Sequence, residues 1–479
     1  MSDEALSTHQ KAIQINLDAS QYGTFAEIGA GQETARWFFR VGGAAGTVAK
    51  SMSAYDMTFS DSIYGPCERY VSRQRLGTMM DHEYRLLIER LQARRGDHTK
   101  FFVFANTVAA KAYNSDKECH GWLGVRFQKA PNAEPSSIKL HVRMLDKENL
   151  QQQEVLGIIG VNLLYGAFHY SDNIQRFIDS LIDGLSLDRI EIDLLLFDGP
   201  DFKGIDNRLI NVQLVSKGYT SAVVFAPGQQ VLLAAEHIYN KPILVERGNF
   251  RPVTHVNLDM MEAAREHFLS DFTLGQPEVI EIMEITLRNL LSSGSFDAED
   301  FLARVNILES IGKTVMISNY AEFHRLGAYM RRYSKQPIGI VLGIALLQQI
   351  FEEKYYTDLE GGILESFGRL FKSGLKLYIY PALSEHDGSL ITAETIHVAH
   401  HLRNLYKHLR ENRHIIGITG RQPKCVTFTS REVAALITSN NGSWEDLVIP
   451  QVARMIKEHG YFGWKQTGSA PSPEQGLAH

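Results

Sequence analysis

From residue 186 onward, short runs of β-branched and aliphatic residues alternate with stretches of helical periodicity, and few folds accommodate that pattern. The runs are Ile190–Phe197, Ala222–Ala226, Pro242–Glu246, Thr314–Ser318, Ile338–Leu342 and Leu375–Tyr380. Each is short and almost continuously apolar, as a strand covered on both faces must be. Helices between the runs supply that cover, which predicts a parallel sheet. Six strands in two sets of three predict an α/β fold over 186–385: a doubly wound, mostly parallel, Rossmann-like sheet with its site at the strands' carboxyl ends.

The flanking regions read differently. Lys100–Asn106, Trp122–Gln128 and Ile138–Leu145 have the alternation and short connections of an antiparallel meander, so 1–185 is expected to be an α+β domain. Gln151–His169 is helical and apolar around most of its girth, which suits a domain core or a subunit interface. Gly157 and Gly160 would let another element approach it closely. With the Tyr- and Arg-rich stretch 53–76, this helix predicts a homo-oligomer. The Gly-rich stretch 41–50 lacks the Gly-Lys-Ser/Thr order of a phosphate loop and reads as a packing turn. Helices are expected through 256–311. Residues 386–466 read as a small C-terminal helical and hairpin module, in which Ala393–Asn412 forms one helix and Ile415–Ile418 pairs with Val426–Thr429. On that helix His397 and His401 would share a face, but no third metal ligand accompanies them. Residues 467–479 read as a disordered tail.

Composition narrows the function classes. A net charge of −6 argues against a broad nucleic-acid surface. Three widely spaced cysteines suit a reducing compartment and exclude a Cys-rich zinc site. The first residues lack the apolar core of a signal peptide, and no stretch is long and apolar enough for a membrane helix. A cytoplasmic protein without membrane partners is expected.

The densest chemistry lies at 241–264. Pro242–Glu246 stops at Gly248, and Thr254 caps a segment with helical spacing, so the order is strand, tight loop, helix. Such a junction places backbone N–H groups and the positive end of a helix dipole at a sheet's carboxyl edge, where Arg247 and Arg251 could pair with phosphate. Asp198, Asp201, Ser318, Asn319, Gly343 and Pro381 are expected at the same edge.

The series Gly248-x-Phe250-x-Pro252-x-Thr254 resembles the first signature of the nicotinamide and nicotinate mononucleotide adenylyltransferases. In that family a histidine follows the last of these positions by three residues; here Asn257 stands there. The resemblance implies a nucleotide-binding protein of adenylyltransferase type, with ATP and Mg²⁺ as cofactors and a nucleotide or small phosphorylated metabolite as ligand. Gly248, Phe250 and Pro252 would shape the loop, while Thr254, Asn257 and Arg251 would contact phosphate. An Asn can donate a hydrogen bond to phosphate but carries no proton or charge.

More widely, GAGQETARWFFRVGGAAGTVAKSMSAYDM, HVRMLDKENLQQQEVLGIIGVNL, LVERGNFRPVTHVNLDMMEAA and GGILESFGRLF resemble stretches of a family of soluble bacterial proteins. Its members carry the names nicotinate-nucleotide adenylyltransferase or TonB-dependent receptor; the second has no counterpart here in amphipathic membrane strands. The missing histidine leaves room for a non-catalytic oligomeric scaffold or metabolite sensor. Met316–Asn319 also resembles the second motif of the haloacid-dehalogenase-like phosphatases, with Asp198 in the place of a nucleophile loop.

Overall fold

The computed structural model describes residues 5–109, 118–272, 277–292, 294–372, 374–384, 386–422, 425, 427–439 and 442–465. The tail expected at 467–479 lies outside them. The chain divides into two units, Met1–Ser221 and Ala222–His479. It is a mixed α/β protein, and among the described residues no helix is long and apolar enough to cross a membrane.

The first unit is built on a sheet of β1 (Gln21–Gly29), β2 (Val48–Ala54), β3 (Lys100–Ala109), β4 (Cys119–Phe127), β5 (Ser136–Met144) and β6 (Ile190–Asp198), in the order β2-β1-β3-β4-β5-β6. The meander β3-β4-β5 is antiparallel as expected, whereas β2, β1 and β3 are parallel. One face carries the main core, where Phe25, Phe102, Phe104, Leu123, Leu140 and Ile192 meet the helix Asn149–His169. That helix is buried inside its own unit, so its apolar girth marks a core and not a subunit surface. Its glycines do admit a neighbour: a Cβ at Gly160 would fall on the Thr34 side chain, and one at Gly157 would lie 2.9 Å from Trp37 Nε1. Both residues belong to the helix Glu33–Val41. The Gly-rich stretch is a turn, in which Gly42 and Gly43 take positive φ.

The second unit holds an eight-stranded sheet. Its strands are β7 (Ala222–Ala226), β8 (Gln230–Leu232), β9 (Ile243–Arg247), β10 (Ile280–Thr286), β11 (Thr314–Ser318), β12 (Ile338–Gly343), β13 (Lys376–Tyr380) and β16 (Ile415–Gly417). A two-residue ribbon of β14 (Ala382–Leu383) and β15 (Leu390–Ile391) stands apart. The six strands β11-β10-β9-β12-β13-β16 are parallel in that order. In chain order the first three therefore grow one way from β9 and the next three grow the other way from β12. Antiparallel β7 and β8 extend the β11 edge. Helices cover both faces. Phe323–Tyr333 and Gly362–Phe371 pack on Ile243, Val245 and Ile340, and His255–Leu269 brings Phe268 against Tyr378 on the other side.

Three expectations need correction. The strand at 190–198 pairs antiparallel with β5 and completes the first sheet, so the boundary falls at 221/222 and not at 185/186. A run apolar on both faces shows that a strand is covered but not which sheet it joins. Ile280–Thr286 is a central strand inside a region read as helical, because tertiary pairing overrides the helix propensity of its Glu and Met residues. Ile415–Gly417 pairs in parallel with β13, and so extends the second sheet; of its expected hairpin partner Val426–Thr429, Val426 lies outside the described residues and Thr427, Phe428 and Thr429 form no strand. The segment 386–466 is thus no separate module, and its long helix is reduced to Arg403–Glu411.

Candidate functional site: the carboxyl edge of the second sheet

The winding direction reverses between β9 and β12, and the loop 248–254 leaves the sheet at that point. Gly343 ends β12 beside it and leads directly into the helix Ile344–Ile350. Ser318 and Asn319 end β11, and Pro381 follows β13, so these residues share the edge as expected. Asp198 does not: it is exposed at the end of β6 in the other unit, where Asp201 bonds Ser136 Oγ at 2.6 Å. The phosphatase reading loses its nucleophile strand by the same finding.

The loop turns inward. Phe250 is buried at positive φ, and its ring lies where a Cβ on Gly248 would come within 2.8 Å. Pro252 and Val253 are buried too, and the Arg251–Pro252 peptide bond is cis. The Gly-x-Phe-x-Pro spacing thus builds a compact plug in which glycine leaves room for the phenyl ring. Arg251 stands outside it, about half exposed and ion-paired with Asp300.

Side chains beneath the loop are tied to one another. Arg247 makes a two-pronged pair with Glu284 (2.8 and 2.9 Å) and donates to the carbonyl oxygens of Ala321 and Tyr320. Ser318 Oγ donates to Glu284 Oε1 at 2.5 Å. Arg247 therefore straps the ends of β9, β10 and β11 together, and its guanidinium has little left to offer a ligand. Asn257 likewise faces in. Its Oδ1 accepts from Thr254 N and Oγ1, both at 3.0 Å, while its Nδ2 donates to Glu246 Oε1 at 2.7 Å. This is a capping box, with Asn at the third helical position returning to the cap.

Glu246 itself could not have been singled out from sequence, because it looks like the polar end of a strand. It is fully buried; Asn257 is its hydrogen-bond partner and its Oε2 has none among the described residues. Burial raises its pKa to about 8, against the smaller opposing effects of the Asn257 hydrogen bond and Lys313. The carboxyl group is accordingly neutral at pH 7. Behind it, Asp259 accepts from Tyr380 Oη at 2.5 Å and from Arg421 N at 3.1 Å, fastening the segment after β16 to the same helix.

The donor set tests the implied cofactors. Among the described residues no group of three or more His, Cys, Asp and Glu could hold a metal ion. For the phosphates of ATP the fit is partial: Arg251 is about half exposed, whereas Thr254 and Asn257 are buried in the helix cap.

No protein-family model matches the chain, and no curated protein sequence does. Solved structures similar to part of it include the competence/damage inducible protein CihA from Agrobacterium tumefaciens, at 19% identity over 33% of this chain and 93% of that one, with a TM-score of 0.25. A competence-damaged protein (CinA) superfamily protein from Enterobacter cloacae is 14% identical over 35% of this chain and 95% of its own, also with a TM-score of 0.25. The competence damage-inducible protein A (ComA) from Klebsiella pneumoniae is 13% identical over 36% and 98%, with the same score. At such scores the likeness carries no functional argument.

Proposed function

We propose that the second unit is a Rossmann-like binding module that takes a nucleotide or small phosphorylated metabolite at the carboxyl ends of β9 and β12, without transferring an adenylyl group. The observation that supports this reading is the strand order. Parallel strands are laid outward from β9 and then from β12, and open α/β sheets take their ligands outside the carboxyl ends at such a reversal. The half-exposed Arg251, beside the start of the helix His255–Leu269, is the group that would meet a phosphate there. Transfer chemistry is not part of the proposal, because Asn257 is engaged in the helix cap and lacks an imidazole's proton.

Thermal denaturation with ATP, ADP, NMN and nicotinate mononucleotide at millimolar concentration tests it. At least one should raise the melting temperature, as any ligand that binds only the folded state must. Arg251→Ala should shrink the shift, since a charge-assisted contact contributes roughly 1.5–3 kcal/mol. No shift with any of them removes the reading.

A second reading, a non-catalytic assembly protein, is favoured by the surface of the first unit. Tyr55, Met57 and Phe59 are 80%, 60% and 57% exposed within the stretch expected to mediate oligomers. Light scattering at micromolar concentration should find a multiple of 54.0 kDa, and a monomer would refute this reading.

A further inference from the structure

The first unit carries a line of three titratable side chains remote in sequence from the loop 248–254. They lie on β4, β5 and β6, on the sheet face opposite the main core. His141 Nδ1 is 2.5 Å from Asp193 Oδ1, and His141 Nε2 is 3.0 Å from His120 Nδ1. His141 is buried, Asp193 nearly so, and His120 reaches the surface. Trp122 covers His141 with ring centroids 5.0 Å apart.

We infer that Asp193, His141 and His120 form a proton relay, a proton-binding site whose exchange point is Nε2 of His120. The carboxylate can only accept, so Nδ1 of His141 carries hydrogen. A single hydrogen fits between the two facing nitrogens at 3.0 Å, donated by either ring. When His120 Nε2 takes a proton from solvent, the shared hydrogen can pass to His141, and the new charge then sits against Asp193. The three groups stand in series and do not converge on one point. That arrangement suits a proton and not a metal, and no metal-holding group occurs among the described residues.

The surrounding charges limit the relay to one extra proton. Arg69 and Arg143 both repel a cation at His120, although Arg143 is itself paired with Glu118 and Glu191. Thr220 donates to that same Glu191 at 2.8 Å. A second added proton would set N–H against N–H and break the bond between the rings. Burial and the neighbouring His141 push His120 down to about 4, so the relay takes up its proton in the acid range.

Nitrogen-15 NMR of the histidine rings in the full chain, titrated from pH 8 to pH 2.5, tests the relay. His120 and His141 should move in one shared step, with His141 Nδ1 protonated throughout. Asp193→Asn removes the counter-charge and should lower the midpoint of that step by about one pH unit or more. His120→Gln should leave His141 without the shared step. Circular dichroism at pH 8 confirms that each variant is folded, and the wild-type titration decides the matter if neither is. Separate midpoints for the two rings, an unmoved midpoint in Asp193→Asn, or an unchanged His141 titration in His120→Gln overturns the inference.

Discussion

Glu246 shows how one side chain changes what the loop above it can do. Buried with Asn257 as its partner, it stays protonated to about pH 8 in the folded chain, whereas an ordinary glutamate releases its proton near 4.5. Between those values the native state holds a proton that the unfolded chain has lost, so this group's contribution is complete below about 4.5 and disappears as pH rises through 8. Inside the window the slope is about 1.4 kcal/mol per pH unit. Glu246→Gln keeps an acceptor for Asn257 and cannot ionise, so its stability relative to wild type should rise between pH 6 and pH 9. Denaturant unfolding at both values measures the difference, and an equal response in both proteins would show that Glu246 is charged when folded. At this scale the sequence is a partial guide. Gly248, Phe250, Pro252 and Thr254 stand where a strand–loop–helix junction needs them, but the loop's setting depends on Asp300 and Arg304, which hold Arg251 and the Asn249 carbonyl from far along the chain. Arg247 resembles a phosphate ligand in the sequence because Glu284, its partner, lies in a segment with no visible strand.

At the scale of elements, the helix His255–Leu269 decides between an eroded active site and a structural joint. Replacing Asn257 with the histidine of the adenylyltransferase signature would restore a chargeable group if the position faced a ligand. It faces Thr254 and Glu246 instead, and is 8% exposed. Asn257→His is therefore expected to lose the cap bond and leave Glu246 without its hydrogen-bond partner, a cost of roughly 1–3 kcal/mol. It should yield no pyrophosphate release. Thermal melting together with a pyrophosphate assay checks both halves, and a stable variant with turnover would reverse the assignment. The same contrast explains which elements are legible. β9, β11, β12 and β13 are apolar runs bounded by Gly, Pro or polar turns, and period and boundary agree. β1 is hidden because its buried Thr24 and Glu27 interrupt the apolar run, and Glu27 is buried only because Thr34 N, Ala35 N and Asn106 Nδ2 satisfy it. β16 is three residues long and has no pattern to show.

For the whole molecule, the consequential difference between sequence and structure is the place where one unit ends. The change of pattern at 186 is real, since parallel βα units dominate the rest of the chain, yet the first sheet still needs the next strand. Along β6, Ser137 to Met144 of β5 pair with Asp198 to Ile190, and Ile192, Leu195 and Phe197 enter the main core. The helix Asn207–Ser216 then closes over that strand, with Ile210 and Leu214 in the same core, and Asn211 bonds both backbone groups of Leu195. A fragment of residues 1–185 would therefore expose the hydrogen-bonding edge of β5 and the apolar surface that these side chains cover, an invitation to aggregate. A fragment of residues 1–221 retains all of it. The longer fragment should be soluble and melt in one cooperative transition; the shorter should precipitate or bind a hydrophobic dye without a sharp transition. Equal cooperativity in both would mean that β6 and its helix are dispensable, and would return the boundary to 185/186.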